Sequence, residues 1–217
     1  MIFRNSECEK KLKKHGAGHL LFGDTMFKLT NNPILKYHQI TILKLFFASD
    51  FGKPFFLTGG TALAAFYFGH RDSKDLDLFT LEPYETEVLT HTINSIAEHT
   101  GSTISVKVKS GTYNEIYLTH PDGWTQRIDI VKEQPRHFGK IEEIERIRVD
   151  SLENIGSNKV LTVFGRLEPK DYIDLYLIIT RTHYSLNMLF ELAKQKDLGL
   201  TEFYFANALL DIEKITT

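Results

Sequence analysis

The residues with chemistry to offer gather in "FFLTGGTALAAFYFGHRDSKDLDLF", residues 55 to 79, where Gly59 and Gly60 end one apolar run and Asp75 and Asp77 lie on the next. A strand that passes through two glycines into a helix lets backbone approach a ligand closely while the first helical N–H groups point outward. Such a corner suits a phosphate. Taken alone, a glycine pair is more often only a tight turn. Asp75 and Asp77 change the reading, because at i and i+2 on a strand both carboxylates leave one face with Cα atoms about 6.5 Å apart. Unpaired, they repel by roughly 2–3 kcal/mol at an effective dielectric of about 20. A cation removes that penalty. Oxygen donors of this kind suit Mg²⁺, which binds through a few carboxylates together with substrate phosphates, and a pair of such ions stabilises both oxygens of an in-line displacement at phosphorus.

The rival reading of "DLDLF" is an edge strand with a solvated acidic face. Asp129 in "QRIDIV" argues against it, since Ile128 and Ile130 point one way and Asp129 the other, giving a third carboxylate for the same site. In the second half, Lys159 and Val163 share one face of an expected helix, and Arg166 just beyond it extends the positive edge. On the following helix Lys170 and Asp174 are i,i+4, and Asp171 and Asp174 are i,i+3. A surface ion-pair ladder, contributing a few tenths of a kcal/mol per pair, is the plain alternative. The apolar Leu175, Leu177, Ile178 and Ile179 that follow predict a half-buried helix instead. The histidines, among them His70, His120 and His137, show no paired ligand spacing, which argues against zinc. "PRHFGK", 135 to 140, with Arg146 and Arg148 after it, reads either as an RNA-phosphate contact or as a solvated basic loop.

These residues need elements to hold them. Asn32-Pro33 predicts a helix over 33–48, capped by the asparagine. Phe55, Phe56 and Leu57 predict a short buried strand, 61–68 a helix ended by Gly69, and 75–80 a strand with one polar face. Pro83 predicts a helix to about His99. Strands at 104–108, 115–118 and 125–131, separated by Gly111 and by Pro121-Asp122-Gly123, predict a meander. Ser151 reads as the cap of a helix to Phe164 broken at Gly165, and Pro169 restarts a series of helices over 170–181, 185–197 and 201–213. The division expected is a core over 26–150 and a C-terminal helical region over 151–217, with 1–25, including "EKKLKKHGAGH", unassigned.

Composition bounds the rest. A chain of 217 residues, 42% hydrophobic, can bury a sizeable core. Its formal net charge of −2 with interspersed signs excludes a whole-surface polyanion binder, so any nucleic-acid contact must be a local patch. The single cysteine, Cys8, cannot form an intramolecular disulfide or a two-cysteine metal motif. With no uncharged stretch near the length of a membrane span, and no apolar signal core at its start, the chain reads as cytoplasmic, without a membrane partner.

A strand, "GG", a short helix, "DLDLF" and a later strand with a third aspartate resemble the nucleotidyltransferase fold of the DNA polymerase beta superfamily. More narrowly, "GGTAL", "HRDSKDLDLF" and "NKVLTVFGRLEPKDYIDLY", residues 158 to 176, resemble the AbiEii/AbiGii group of toxin nucleotidyltransferases. The resemblance implies an α+β fold, a mixed sheet flanked by helices with a C-terminal helical bundle. It implies transfer of NMP from an NTP to an acceptor hydroxyl, a tRNA 3′ end, by the toxin of a toxin–antitoxin or abortive-infection pair with a cognate antitoxin. By position, Gly59, Gly60 and Thr61 would hold the nucleotide phosphates, with Arg71 and Ser73 in the "HRxSxD" approach. Two Mg²⁺ would lie on Asp75, Asp77 and Asp129, the last as ligand or general base. Lys159 would hold the triphosphate with Arg166 beside it, and Asp174 would orient Lys159. Gly60 replaces the polymerase-type serine, so a hydroxyl contact to phosphate would fall to Thr61 or Ser73. The same metal site would also serve transfer to a protein or a small molecule such as an antibiotic. A non-catalytic nucleotide-binding module is the other class.

Overall fold

The structure, a computed structural model, describes residues 26–133 and 136–214; Cys8, the lysine-rich N-terminal stretch and Pro135 lie outside the described residues. Helix α1 spans Tyr37–Ala48. It begins later than Asn32-Pro33 suggests because Asn32 caps only a turn, its Oδ1 accepting from the N–H groups of Ile34 and Leu35. The helix takes its cap from within, the Gln39 carboxamide accepting from the Lys36 N–H.

Strand β1, Phe55–Thr58, runs straight into helix α2, Gly59–Ala62, which widens into a π-helical turn over Leu63–Phe68 and stops at Gly69. Gly69 closes the element at a φ of 60°, with its N–H donating to the Ala64 carbonyl. Then follow β2, Leu76–Thr80, and α3, Thr86–Thr100. Strands β3, Thr103–Lys109, β4, Tyr113–Thr119, and β5, Thr125–Lys132, form the expected antiparallel meander. Two short strands absent from the sequence reading, β6 at Glu142–Ile144 and β7 at Ile147–Val149, precede the helices. Three-residue strands are too short to show an alternation, and β7 is ordered by pairing with β1.

The sheet order is β3-β4-β5-β2-β1-β7-β6, with β2 parallel to β5 and β1 parallel to β7. One face carries Leu76 and Leu78, Ile128 and Ile130, Ile116 and Leu118. These share the core with Ile42, Leu43 and Phe46 of α1 and Ile93 and Ile96 of α3. Because side chains alternate, the residues between them face the other way. The remaining helices are α4, Leu152–Gly165, α5, Pro169–Arg181, α6, Leu186–Lys194, and α7, Glu202–Leu210. Ser151 caps α4 as expected, its hydroxyl accepting from the Asn154 N–H, and Pro169 opens α5 at its first turn. Helix α4 packs against α5, α6 and α7 and reaches α2. No helix among the described residues is long and apolar enough to cross a membrane.

Candidate active site

Strand register lines up the acidic residues. Thr58 of β1 pairs with Asp77 of β2, Asp77 with Asp129 of β5, and Asp129 with Glu115 of β4. Paired residues share a face and neighbouring strands lie about 4.8 Å apart, so three carboxylates stand in one transverse row. Beyond Thr58 the row ends at Asp150, which is fully buried and accepts from the Thr58 hydroxyl at 2.5 Å, from Asn154 Nδ2 at 2.9 Å and from its neighbour's N–H at 2.8 Å. His137 Nε2 lies 2.8 Å from Oδ1, the oxygen that takes the Ser151 N–H, while Thr58 and Asn154 are on Oδ2. Asp75 sits just before β2, two residues from Asp77.

The row is unevenly compensated. Asp129 is held through both oxygens by Arg127, Nε to Oδ1 at 3.0 Å and Nη2 to Oδ2 at 2.8 Å. Arg127 also lies 3.4 Å from Glu115, which accepts from the hydroxyls of Tyr113 and Tyr117. Asp77 has no such guanidinium. Its carboxyl is pushed up to about 6, chiefly by burial and then by the charges of Asp129 and Asp75, against the pull of Lys159 and Arg127. Burial likewise raises Asp129, although Arg127 opposes the shift.

The two glycines make room for two different side chains. A Cβ on Gly59, whose φ is +67°, would stand 2.3 Å from Asp77 Oδ2, and one on Gly60 would stand 2.2 Å from Arg71 Nη2. The corner therefore fits a carboxylate and a guanidinium against bare backbone. Thr61 is fully buried, and its hydroxyl donates to the Asp75 carbonyl and contacts Ser73 Oγ at 2.7 Å. Of the two hydroxyls expected at a phosphate, Thr61's is therefore occupied in fixing the approach to Asp75, and the half-buried Ser73 is the one with room.

Beside the glycine corner lies a buried charge network. Asp174 and Asp171 on α5 are both fully buried. Lys159 Nζ from α4 lies 2.7 Å from a carboxylate oxygen of each. Asp174 also accepts two bonds from Arg71, Nε at 2.9 Å and Nη2 at 2.8 Å, and His70 Nε2 lies 2.8 Å from it. Asp171 accepts from Arg166 Nε at 2.8 Å. Burial alone would raise both carboxyls. Arg71, His70 and Lys159 outweigh it at Asp174, as Arg166 and Lys159 do at Asp171, and hold both below the usual range. Within this network three cations face two carboxylates, and the one that stands against the bare backbone of Gly60 is Arg71. The surface-ladder alternative fails, because the aspartates are interior while Lys170 is exposed.

The sequence reading missed Glu115, Arg127 and Asp150, and set His70 aside as scattered. Arg127 shares the alternation of β5 with Asp129, which is the signal the sequence offers; Glu115, which meets Asp129 only by pairing across strands, and Asp150, which meets Thr58, carry none. The described part of the basic segment does not form one patch. His137 is turned inward onto Asp150, Lys140 pairs with Glu142, and Arg148 donates to the Lys53 carbonyl.

Over residues 41–202 the chain matches the family described as nucleotidyl transferase AbiEii toxin, type IV toxin–antitoxin system. The protein belongs to the AbiEii family. It is thus a nucleotidyltransferase. Two solved structures from Helicobacter pylori share the fold. One, described as a nucleotidyltransferase, is 20% identical with a TM-score of 0.57 over 82% of this chain and 81% of that one. The other, JHP933, is 21% identical with a TM-score of 0.56 over 82% and 79%. Among curated proteins none matches. The α+β class expected from the sequence is the fold observed, and the match extends from inside α1 to the start of α7.

Proposed function

We propose that this AbiEii-family nucleotidyltransferase moves an NMP from an NTP to the 3′-terminal hydroxyl of a tRNA, with Mg²⁺, as a toxin restrained by a cognate antitoxin. The observation that carries the reading is the row Asp77–Asp129 beside Gly59 and Gly60, with Arg71 and Lys159 held by interior aspartates on its other side.

Among the described residues no three His, Cys, Asp or Glu side chains converge as a ready-made metal cage. The donors nevertheless fit Mg²⁺, which needs only one or two carboxylates plus substrate phosphates, and the raised Asp77 carboxyl is the unfavourable charge that a cation relieves. Asp75 and Asp77 would hold it, with Asp129 joining when Arg127 lets go. Bound Mg²⁺ supplies charge stabilisation for the attacking and leaving oxygens.

The chain's own residues do the rest. Backbone N–H groups of Gly59 and Gly60, at the start of α2, have no helical partner and face incoming phosphate oxygens. Arg71, Lys159 and Arg166 offset the triphosphate charge, held in place by Asp174 and Asp171. The acceptor oxygen bonds to the α-phosphorus as the bond to the β-phosphate oxygen breaks, pyrophosphate departs, and the acceptor's proton passes to Asp129. An RNA acceptor is supported by the open face of β4 and β3 beside the row, where Tyr113, Tyr117 and Arg127 adjoin Lys107.

The test is a transfer assay with total tRNA, Mg²⁺ and each α-labelled NTP, with Asp75→Ala alongside. Label on tRNA in the wild type alone is expected. Label on protein or on a small molecule instead would overturn the RNA acceptor, and label unchanged in Asp75→Ala would overturn the site.

A further inference from the structure

Past the carboxylate row, toward the C-terminal ends of β2 and β5, the same face of the sheet changes character. Its next pair in register is Phe79 and Val131. Both are half-buried, yet among the described residues neither joins the hydrophobic core nor packs against it. They form an apolar floor about 7 Å, one pleat, from Asp77 and Asp129.

The next residue on this face, one past the end of β5, is Glu133, whose N–H donates to the Thr80 carbonyl. Its Oε1 accepts from Lys196 Nζ at 2.9 Å and Asn158 Nδ2 at 3.2 Å. Its Oε2 is buried with no hydrogen-bond partner among the described residues. Lys196 cannot supply one, since its other two protons go to Asn154 Oδ1 at 2.6 Å and Asn158 Oδ1 at 2.7 Å. An unmet buried acceptor is unfavourable, and a ligand donor relieves it.

We propose that Phe79, Val131 and Glu133 form the nucleobase subsite of the NTP, and that Glu133 Oε2 selects bases bearing an exocyclic amine over uracil. The inference rests on the nucleotidyltransferase reading of the cleft. Glu133, one residue past the end of β5, is four positions from Asp129, about 13 Å along an extended chain, which leaves room for a nucleoside between them. The base lies on Phe79 and Val131, and its amine donates to Glu133. An amine at the corner of the base edge is open to a carboxylate. The ring N–H of uracil stands between two carbonyl oxygens that a carboxylate repels.

The experiment is calorimetric binding of non-transferable α,β-methylene NTP analogues to the full chain with Mg²⁺, compared in size-matched pairs: cytidine with uridine, and adenosine with inosine. The amino-bearing member of each pair is expected to bind about ten-fold tighter. Glu133→Gln places an amide N–H where the free oxygen was and is expected to abolish or reverse that preference, the uridine analogue gaining several-fold. Phe79→Ala is expected to weaken all four about ten-fold with the preference kept. Equal affinity within both pairs in the wild type, or a preference unchanged in a folded Glu133→Gln, would overturn the subsite while leaving the transferase reading intact. Failure of every analogue to bind would overturn both.

Discussion

The Asp77 carboxylate occupies the space a side chain on Gly59 would need, Oδ2 lying 2.3 Å from where that Cβ would stand. The glycine in the sequence is therefore a statement about the aspartate as much as about phosphate. Gly59→Ala combines this clash with a φ of +67°, which costs an L side chain roughly 1–2 kcal/mol. We expect that loss of stability together with at least a hundred-fold loss of transfer, read by chemical denaturation and the tRNA assay. Gly111→Ala, with nothing within 4 Å of the added methyl, is the control. Full activity in Gly59→Ala would refute the packing of Asp77 on this backbone.

Lys159 and Arg166 touch the same aspartate but from different depths. Lys159 has a side-chain exposure of 6% and Arg166 one of 52%. Removing Lys159 leaves two interior carboxylates short of charge, so Lys159→Met is expected to destabilise the fold by about 3–5 kcal/mol. Arg166→Ala should cost less than about 1 kcal/mol while still slowing transfer. Urea melts of the two variants that coincide would show the network to be worth no more than a surface pair.

Acid should dismantle this network. The carboxyl of Asp174 is held below the usual range, so between its folded value and the ordinary value near 4 the unfolded chain binds more protons than the folded one, and stability rises with pH. Its contribution is complete above about pH 4–5 and is lost as pH falls through the folded value. Asp174→Asn should flatten that part of the urea-melt profile below pH 5. A wild-type profile with the same slope as the variant would contradict the assignment.

Asp77 carries the opposite sign. A folded value pushed up to about 6 means the group's contribution to stability is present below its unfolded value and lost as pH rises through 6. Without metal at pH 7.5, Asp77→Asn is therefore expected to melt higher than the wild type, by up to roughly 2–3 kcal/mol for a shift of about two units, while transfer is abolished. Adding Mg²⁺ should raise the wild type and leave the variant unchanged. A lower melting temperature in Asp77→Asn would show that the carboxylate is already compensated.

The sequence by itself determined the local elements and the chemistry they carry. Glycines at a strand end, aspartates at i and i+2, an alternating "QRIDIV" and the caps Ser151 and Pro169 are short-range signals, and a period of two or a cap residue dictates the backbone around it. Only the tertiary structure decided which of these residues meet. Strand pairing set Asp129 between Asp77 and Glu115 and brought Thr58 to Asp150, 92 residues apart in the chain. The packing of α4 on α5 carried both aspartates of the expected half-buried helix fully inside onto Lys159, and His70 and Arg71 reach Asp174 from 104 and 103 residues away. Such contacts follow from sheet order and helix docking, which depend on burying apolar faces over the whole chain and leave no short pattern for the eye to find.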